Sequence, residues 1–158
     1  MTAERPAVSP TRVTAPCPGR VLPLSEVPDP VFSSAMVGPG IALDPSPEET
    51  TVCAPLTGKI VKIHPHAFVI QAESGVGVLV HLGINTVRLE GEGFEVLAEQ
   101  GATVHRGDPM VRWTPGEITG DGISTVIPVV ALDQPEDAVT TTTADHVTAG
   151  DDLLQISR

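Results

Sequence analysis

The sequence predicts an all-β domain, an antiparallel β-sandwich of the barrel-sandwich kind built by internal duplication. Three observations lead there: short apolar runs separated by turn residues, two turn-and-strand patterns that each occur twice, and a glycine and proline content that leaves no room for long helices. Glycine accounts for 15 and proline for 16 of the 158 residues, and tyrosine is absent. A chain of this length suits one domain with one sizeable core.

The first 12 residues are polar and carry Pro6 and Pro10, the composition of a flexible tail, so the domain is expected to span 13–158. It opens on the first doubled pattern, Ala-Pro-x-x-Gly-x-Val/Ile. This reads at Ala15, Pro16, Gly19 and Val21, and again at Ala54, Pro55, Gly58 and Ile60. Each copy looks like a turn feeding a strand. The second pattern, Val-x-x-Gly-Asp before an apolar alternation, reads at Val104, Gly107, Asp108 and Met110, and again at Val147, Gly150, Asp151 and Leu153. Each copy sets a Gly-Asp turn before a strand. Between the repeats, strands are expected at Gly58–Ile63, Ala67–Ala72, Val76–Leu82, Phe94–Ala98, Met110–Trp113 and Ser124–Leu132. Runs such as Val78-Leu79-Val80 are apolar on both faces and belong between two layers. Loops are expected at Glu48–Thr51 and Pro115–Gly122, and a helical turn at Pro135–Val139.

Charge and cysteine usage exclude several functions. A formal charge of −11, with only two lysines, repels nucleic acid and anionic membrane surfaces and attracts a basic protein partner. Cys17 and Cys53 show no C-x-x-C spacing and read as free thiols rather than a zinc ribbon or redox pair. Neither an apolar signal segment nor a run long enough to span a bilayer is present, so a cytoplasmic protein without membrane insertion is expected.

The chemistry concentrates in one hairpin, Pro65 to Gly83, whose turn is Glu73-Ser74-Gly75. A tight loop centred on Glu73 and Ser74 would put His66 directly opposite His81, with both imidazoles on one face. A neutral imidazole is a nucleophile near pH 7, and a second ring can donate to phosphoryl oxygens. Phosphoryl transfer needs mainly alignment and charge stabilisation, which two rings on a rigid hairpin could supply. Two other readings compete: a satisfied core histidine, and a metal ligand pair. His64, His105 and His146 read as surface or turn residues. A catalytic zinc would need a third ligand that this hairpin lacks, and His64-Pro65-His66 is the nearest imitation. A biotin or lipoate carrier is disfavoured because Lys59 and Lys62 lie within a strand, not at a hairpin tip.

At this hairpin the sequence resembles the glucose-type enzyme IIA family of the phosphoenolpyruvate-dependent sugar phosphotransferase system. The resemblance runs from Ala15 to about Ile156. It is carried by Val-Pro-Asp-Pro-Val-Phe at 27–32, Met-Val-Gly-Pro-Gly-Ile-Ala at 36–42, Val-His-Leu-Gly-Ile-Asn-Thr-Val at 80–87 and Glu-Gly-Glu-Gly-Phe at 90–94. It implies a phosphotransferase component: His81 takes a phosphoryl group from the phosphocarrier HPr and passes it to a cysteine of a IIB partner, while His66 stabilises it. It also implies a shallow apolar docking depression lined here by Phe32, Val37, Phe68 and Phe94, and an acidic rim suited to a basic HPr face. No intrinsic cofactor is implied, although the resemblance allows a zinc ion shared through His66 and His81 with a target across an interface. Regulatory target proteins are a further expectation, since a phosphoryl group on an apolar face would change what docks there. The sugar is chosen by the IIB and IIC partners. Three positions depart from the family pattern: Asn85 and Pro39, where Asp is frequent, and His64, where Thr usually bonds the first imidazole.

Overall fold

In the structure, a computed structural model describing residues 11–34 and 37–157, every strand pairing is antiparallel. The all-β expectation is borne out. Among the described residues, strands β1 (Thr11–Thr14), β2 (Gly19–Pro23) and β3 (Gly40–Pro45) come first, with a short helix, α1 (Pro30–Ser33), between β2 and β3. Strands β4 (Thr50–Cys53), β5 (Gly58–His64), β6 (Ala67–Gln71) and β7 (Gly77–His81) follow. Next come β8 (Phe94–Val96), β9 (Thr103–Val104), β10 (Pro109–Trp113) and β11 (Ile127–Leu132). The chain closes with β12 (Val139–Thr141), β13 (His146–Val147) and β14 (Asp152–Ile156).

The topology displays the duplication. The large sheet runs β13-β2-β3-β11-β7-β6-β5-β9, and the two small sheets run β1-β14-β12 and β4-β10-β8. A pseudo-twofold between β11 and β7 exchanges the halves of the large sheet and swaps the small ones. The repeated residues sit on equivalent bonds. Ala15 N donates to the Asp151 carbonyl and Ala54 N to that of Asp108, both at 2.8 Å. Gly150 N returns to the Ala15 carbonyl as Gly107 N does to that of Ala54, and both glycines take a left-handed φ of 93°. The Asp151 and Asp108 carboxylates each accept from a backbone N–H three residues earlier, at 2.8 Å. Across the dyad, Thr14 N donates to the Pro55 carbonyl and Cys53 N to that of Pro16. The doubled sequence patterns therefore mark equivalent turns in the two copies, those that lead into β2 and β5 and into β14 and β10.

The core lies between the large and small sheets and includes Phe68, Val78, Val80, Leu82, Met110, Trp113, Val129 and Leu153. A second cluster, Leu22, Leu24, Val27, Phe32, Ala42, Ile84 and Val130, covers the other face of the large sheet. The central strand β11 is thus buried on both sides, with Val129 in one cluster and Val130 in the other.

Several boundaries differ from expectation. β1 begins at Thr11, so Thr11 and Arg12, assigned to the tail, instead pair with Ile156 and Gln155. Thr50 and Thr51, assigned to a loop, begin β4 and pair with Trp113 and Arg112. Both pairings are non-local, and no local pattern announces them. The third is at 124–126, where Ser124 leaves the expected strand to bridge Ile84, so β11 starts at Ile127. The helical turn near 136 is present as Glu136–Ala138. Both cysteines are free. Burial, with a smaller push from Cys53, raises the Cys17 thiol to about 12, and burial and Asp108 raise that of Cys53. Protonated thiols are poor nucleophiles and do not compete with the histidines. Among the described residues no helix is long and apolar enough to cross a membrane.

Candidate functional site

The β6–β7 hairpin holds the predicted site, in a register one residue away from the expected one. Ala67, not His66, stands opposite His81, and Phe68 pairs with Val80. The cause is Gly75. Its left-handed φ of +94° makes it the third residue of the loop, with Gly75 N donating to the Ala72 carbonyl and Ala72 N to that of Val76. A three-residue loop of this kind centres the hairpin on Ser74 and shifts every pair by one.

The two imidazoles nevertheless meet. His66 lies in the two-residue turn between β5 and β6, outside the strand alternation, and its carbonyl accepts from Leu82 N at 2.7 Å. Its ring reaches His81 edge to face, with centroids 5.3 Å apart and planes at 72°. His81, at the end of β7, shares the outer sheet face with Ala67 and Leu79, whereas Val78 and Val80 point into the core.

His81 is held by its own chain. Its Nδ1 lies 2.5 Å from the Gly83 carbonyl. A carbonyl only accepts, so Nδ1 carries the proton and Nε2 is left with a free lone pair. Burial pushes the His81 pKa down, opposed more weakly by the Gly83 carbonyl and the Asp29 charge. Burial also lowers that of His66, helped by His81 and His64. Both rings are therefore neutral at neutral pH, and the site presents a nucleophilic nitrogen.

Gly83 makes this arrangement possible. A Cβ there would sit 2.5 Å from the Ser124 carbonyl oxygen and 2.5 Å from Thr86 Cγ2, at a φ of +86°. Gly83→Ala is expected to lose about 1–3 kcal/mol from the backbone conformation alone, with overpacking in addition. The denaturation midpoint should fall as the turn that sets the Gly83 carbonyl on His81 Nδ1 is strained. An unchanged midpoint would show that the 83–86 turn can be rebuilt freely.

The long connection between β2 and β3 supplies the wall. Asp29 caps α1, its carboxylate accepting from Val31 N at 2.8 Å, and Pro30 starts the helix. α1 then lays the Phe32 ring against His81, centroids 5.2 Å apart. Val31 beside it is 44% exposed, and Val37 packs half-buried on the same cluster. Phe68 does not belong to this surface. It is 1% exposed, inside the core on the opposite sheet face, because the shifted register turns even-numbered β6 residues inward. Phe94 stacks on Trp113, centroids 5.3 Å and 18° between planes, and packs on the main core.

The departures acquire a physical meaning. Asn85 sits at a left-handed φ of 62° and donates through Nδ2 to the Gly122 carbonyl at 2.7 Å, a bond that a carboxylate in its place could not donate. The buried Pro39 offers its carbonyl to Ala131 N. His64 is exposed, as expected, and in addition stacks on His66, rings 5.7 Å apart and 19° from parallel. His105 and His146 are exposed, His105 in a turn with Asp108 and His146 on β13. Residues that sequence reasoning missed are Asp29 and Gly83; the Asp-Pro start of a helix was legible, the carbonyl contact was not. A closed zinc site takes four ligands, and His66 and His81 could offer at most two of them. Among the described residues no group of three or more His, Cys, Asp or Glu could hold a metal, so a zinc here would need ligands from another molecule.

Fold and site together define a duplicated β-sandwich in which a histidine of the β5–β6 turn contacts a histidine at the end of β7. Comparison with known proteins places it further. The family described as phosphoenolpyruvate-dependent sugar phosphotransferase system, EIIA 1, matches residues 11–137. A glucose-specific EIIA component of Staphylococcus epidermidis is 37% identical over 121 residues, 75% of this chain and 72% of that protein. The glucose-specific EIIBCA component of Corynebacterium glutamicum is 41% identical over 118 residues, but the chain spans only 18% of its length. The solved glucose permease IIA from Mycoplasma capricolum superposes with a TM-score of 0.85 at 34% identity, covering 93% of this chain and 96% of that one. The chain belongs to the EIIA type 1 family of the phosphoenolpyruvate-dependent sugar phosphotransferase system. It is a phosphotransferase component, a phosphoryl carrier of that system.

Proposed function

We propose that His81 Nε2 carries the phosphoryl group, received from phospho-HPr and delivered to the cysteine of a IIB partner in the cytoplasm. The observation that supports this best is the Gly83 carbonyl on His81 Nδ1, which leaves Nε2 as the free nucleophile beside a second imidazole. In the first step the Nε2 lone pair forms a bond to phosphorus as the donor's N–P bond breaks and its electron pair returns to the donor ring. In the second, a thiolate sulfur forms a bond to phosphorus and the Nε2–P bond breaks. His66 donates to the phosphoryl oxygens, and its contribution is largest in the transition state of onward transfer to IIB. Val31 and Val37, backed by the buried Phe32 that packs against His81, form the apolar surface on which both partners dock, and the net charge of −11 draws a basic HPr face to it.

Incubation with phosphoenolpyruvate, enzyme I and HPr tests this. One phosphoryl group per chain should appear, lost in acid and retained in base, as a phosphoramidate requires. An acid-stable phosphate would remove histidine as its carrier.

A further inference from the structure

We propose that His64 is a positioning residue of the phosphoryl site, a third ring that holds His66 at the angle it presents to His81. The proposal rests on the phosphoryl-carrier reading of His81 and His66 and adds a residue to it. Two independent features of the fold put His64 there.

The first is a bulge. Between Ile60 and Lys62 the β5–β6 ladder skips a residue: Ile60 pairs with Ile70, but Lys62 pairs with Val69, Ile63 with Phe68 and His64 with Ala67. A bulge of one residue reverses which face the following side chains occupy. Without it, His64 would share the core face of Phe68. With it, His64 shares the face of Ala67, and Ala67 is the direct partner of His81. The single irregularity of this ladder thus delivers an imidazole to the reacting face.

The second is the packing of the rings. His64 and His66 lie 5.7 Å apart and near-parallel at 19°, while His66 meets His81 at 72°. Both contacts fall in the range of favourable aromatic pairs. His66 has only a two-residue turn behind it, closed by the His64–Ala67 pair, with Pro65 resting near Gly91, where an added Cβ would meet Pro65 Cγ at 3.3 Å. The turn fixes the backbone; the ring of His64 fixes the plane of the His66 side chain. Exposure of His64 itself means that it does so without contributing to the core.

The test compares the full-length protein with His64→Ala and His64→Phe. Phe keeps a flat ring and removes every polar atom. Onward transfer from phosphorylated protein to a IIB domain should slow roughly two- to tenfold in the Ala variant, the range an aromatic pair of ordinary strength produces. Phe should restore the rate. In the unphosphorylated protein, the carbon-bound ring protons of His66 should lose a ring-current shift in the Ala variant and keep it in Phe, with melting temperature unchanged in both. Equal rates and shifts in the Ala variant would overturn the positioning role, as would a Phe variant as slow as Ala. If wild type accepts no phosphate, the carrier reading fails, and the shift still decides whether His64 holds the ring of His66.

Discussion

His81→Gln protein, mixed with phosphoenolpyruvate, enzyme I and HPr, takes up no labelled phosphate. The expected loss is at least roughly 10⁴-fold, because the reaction loses its nucleophile and not merely a stabilising contact. A glutamine amide nitrogen has no lone pair available for attack. His66 cannot replace it. Its ring stands edge-on to His81 at 72° and lies in a turn, without the carbonyl contact that leaves His81 Nε2 free. The variant should remain folded, since His81 is half-buried and its strand is fixed on both sides by β6 and β11. An acid-labile label on His81→Gln protein would move the acceptor to His66 and reverse the assignment.

His66→Gln fails differently. It should still be phosphorylated by HPr, since the nucleophile and its Gly83 contact are untouched and glutamine keeps an N–H donor at similar reach. Transfer onward to IIB should slow sharply. A preorganised donor aimed at developing charge is worth about 2.7–4 kcal/mol, roughly a hundred- to a thousandfold in rate. Glutamine recovers only part of that, because its amide lacks the ring that His64 stacks on and so loses the fixed direction of the donor. The check is to load the variant with labelled phosphate and follow its discharge to a purified IIB domain. Discharge at the wild-type rate would leave His66 without a role in the transition state.

Much of the site was legible in the hairpin sequence because the relevant information is local. Val-Leu-Val before His81 and the loop Glu73-Ser74-Gly75 identify strand and turn by composition alone. Whether the loop holds two residues or three depends on Gly75 taking a left-handed φ, which composition permits but does not impose. That one degree of freedom moved the register by a residue and sent Phe68 to the core, where burial of such a side chain is worth roughly 1.5–3 kcal/mol. The bulge that turns His64 outward is equally silent, for Val61 is an ordinary strand residue, 42% exposed.

What the sequence by itself determined is the frame: an all-β duplicated domain, its two pairs of repeated turns, a histidine-bearing hairpin and an acidic surface. These follow from residue type and short-range spacing, which act through turn chemistry and strand patterning. Only the tertiary structure decided how the two copies differ. In one, β5 and β6 are joined by a two-residue turn carrying His66; in the other, the equivalent strands β2 and β3 are separated by a connection long enough to hold α1. The dyad of the large sheet brings that connection across to β7, and Phe32 closes on His81 from 49 positions away in the chain. Side-chain contacts at such separation are selected by sheet order and face, quantities that no local pattern contains.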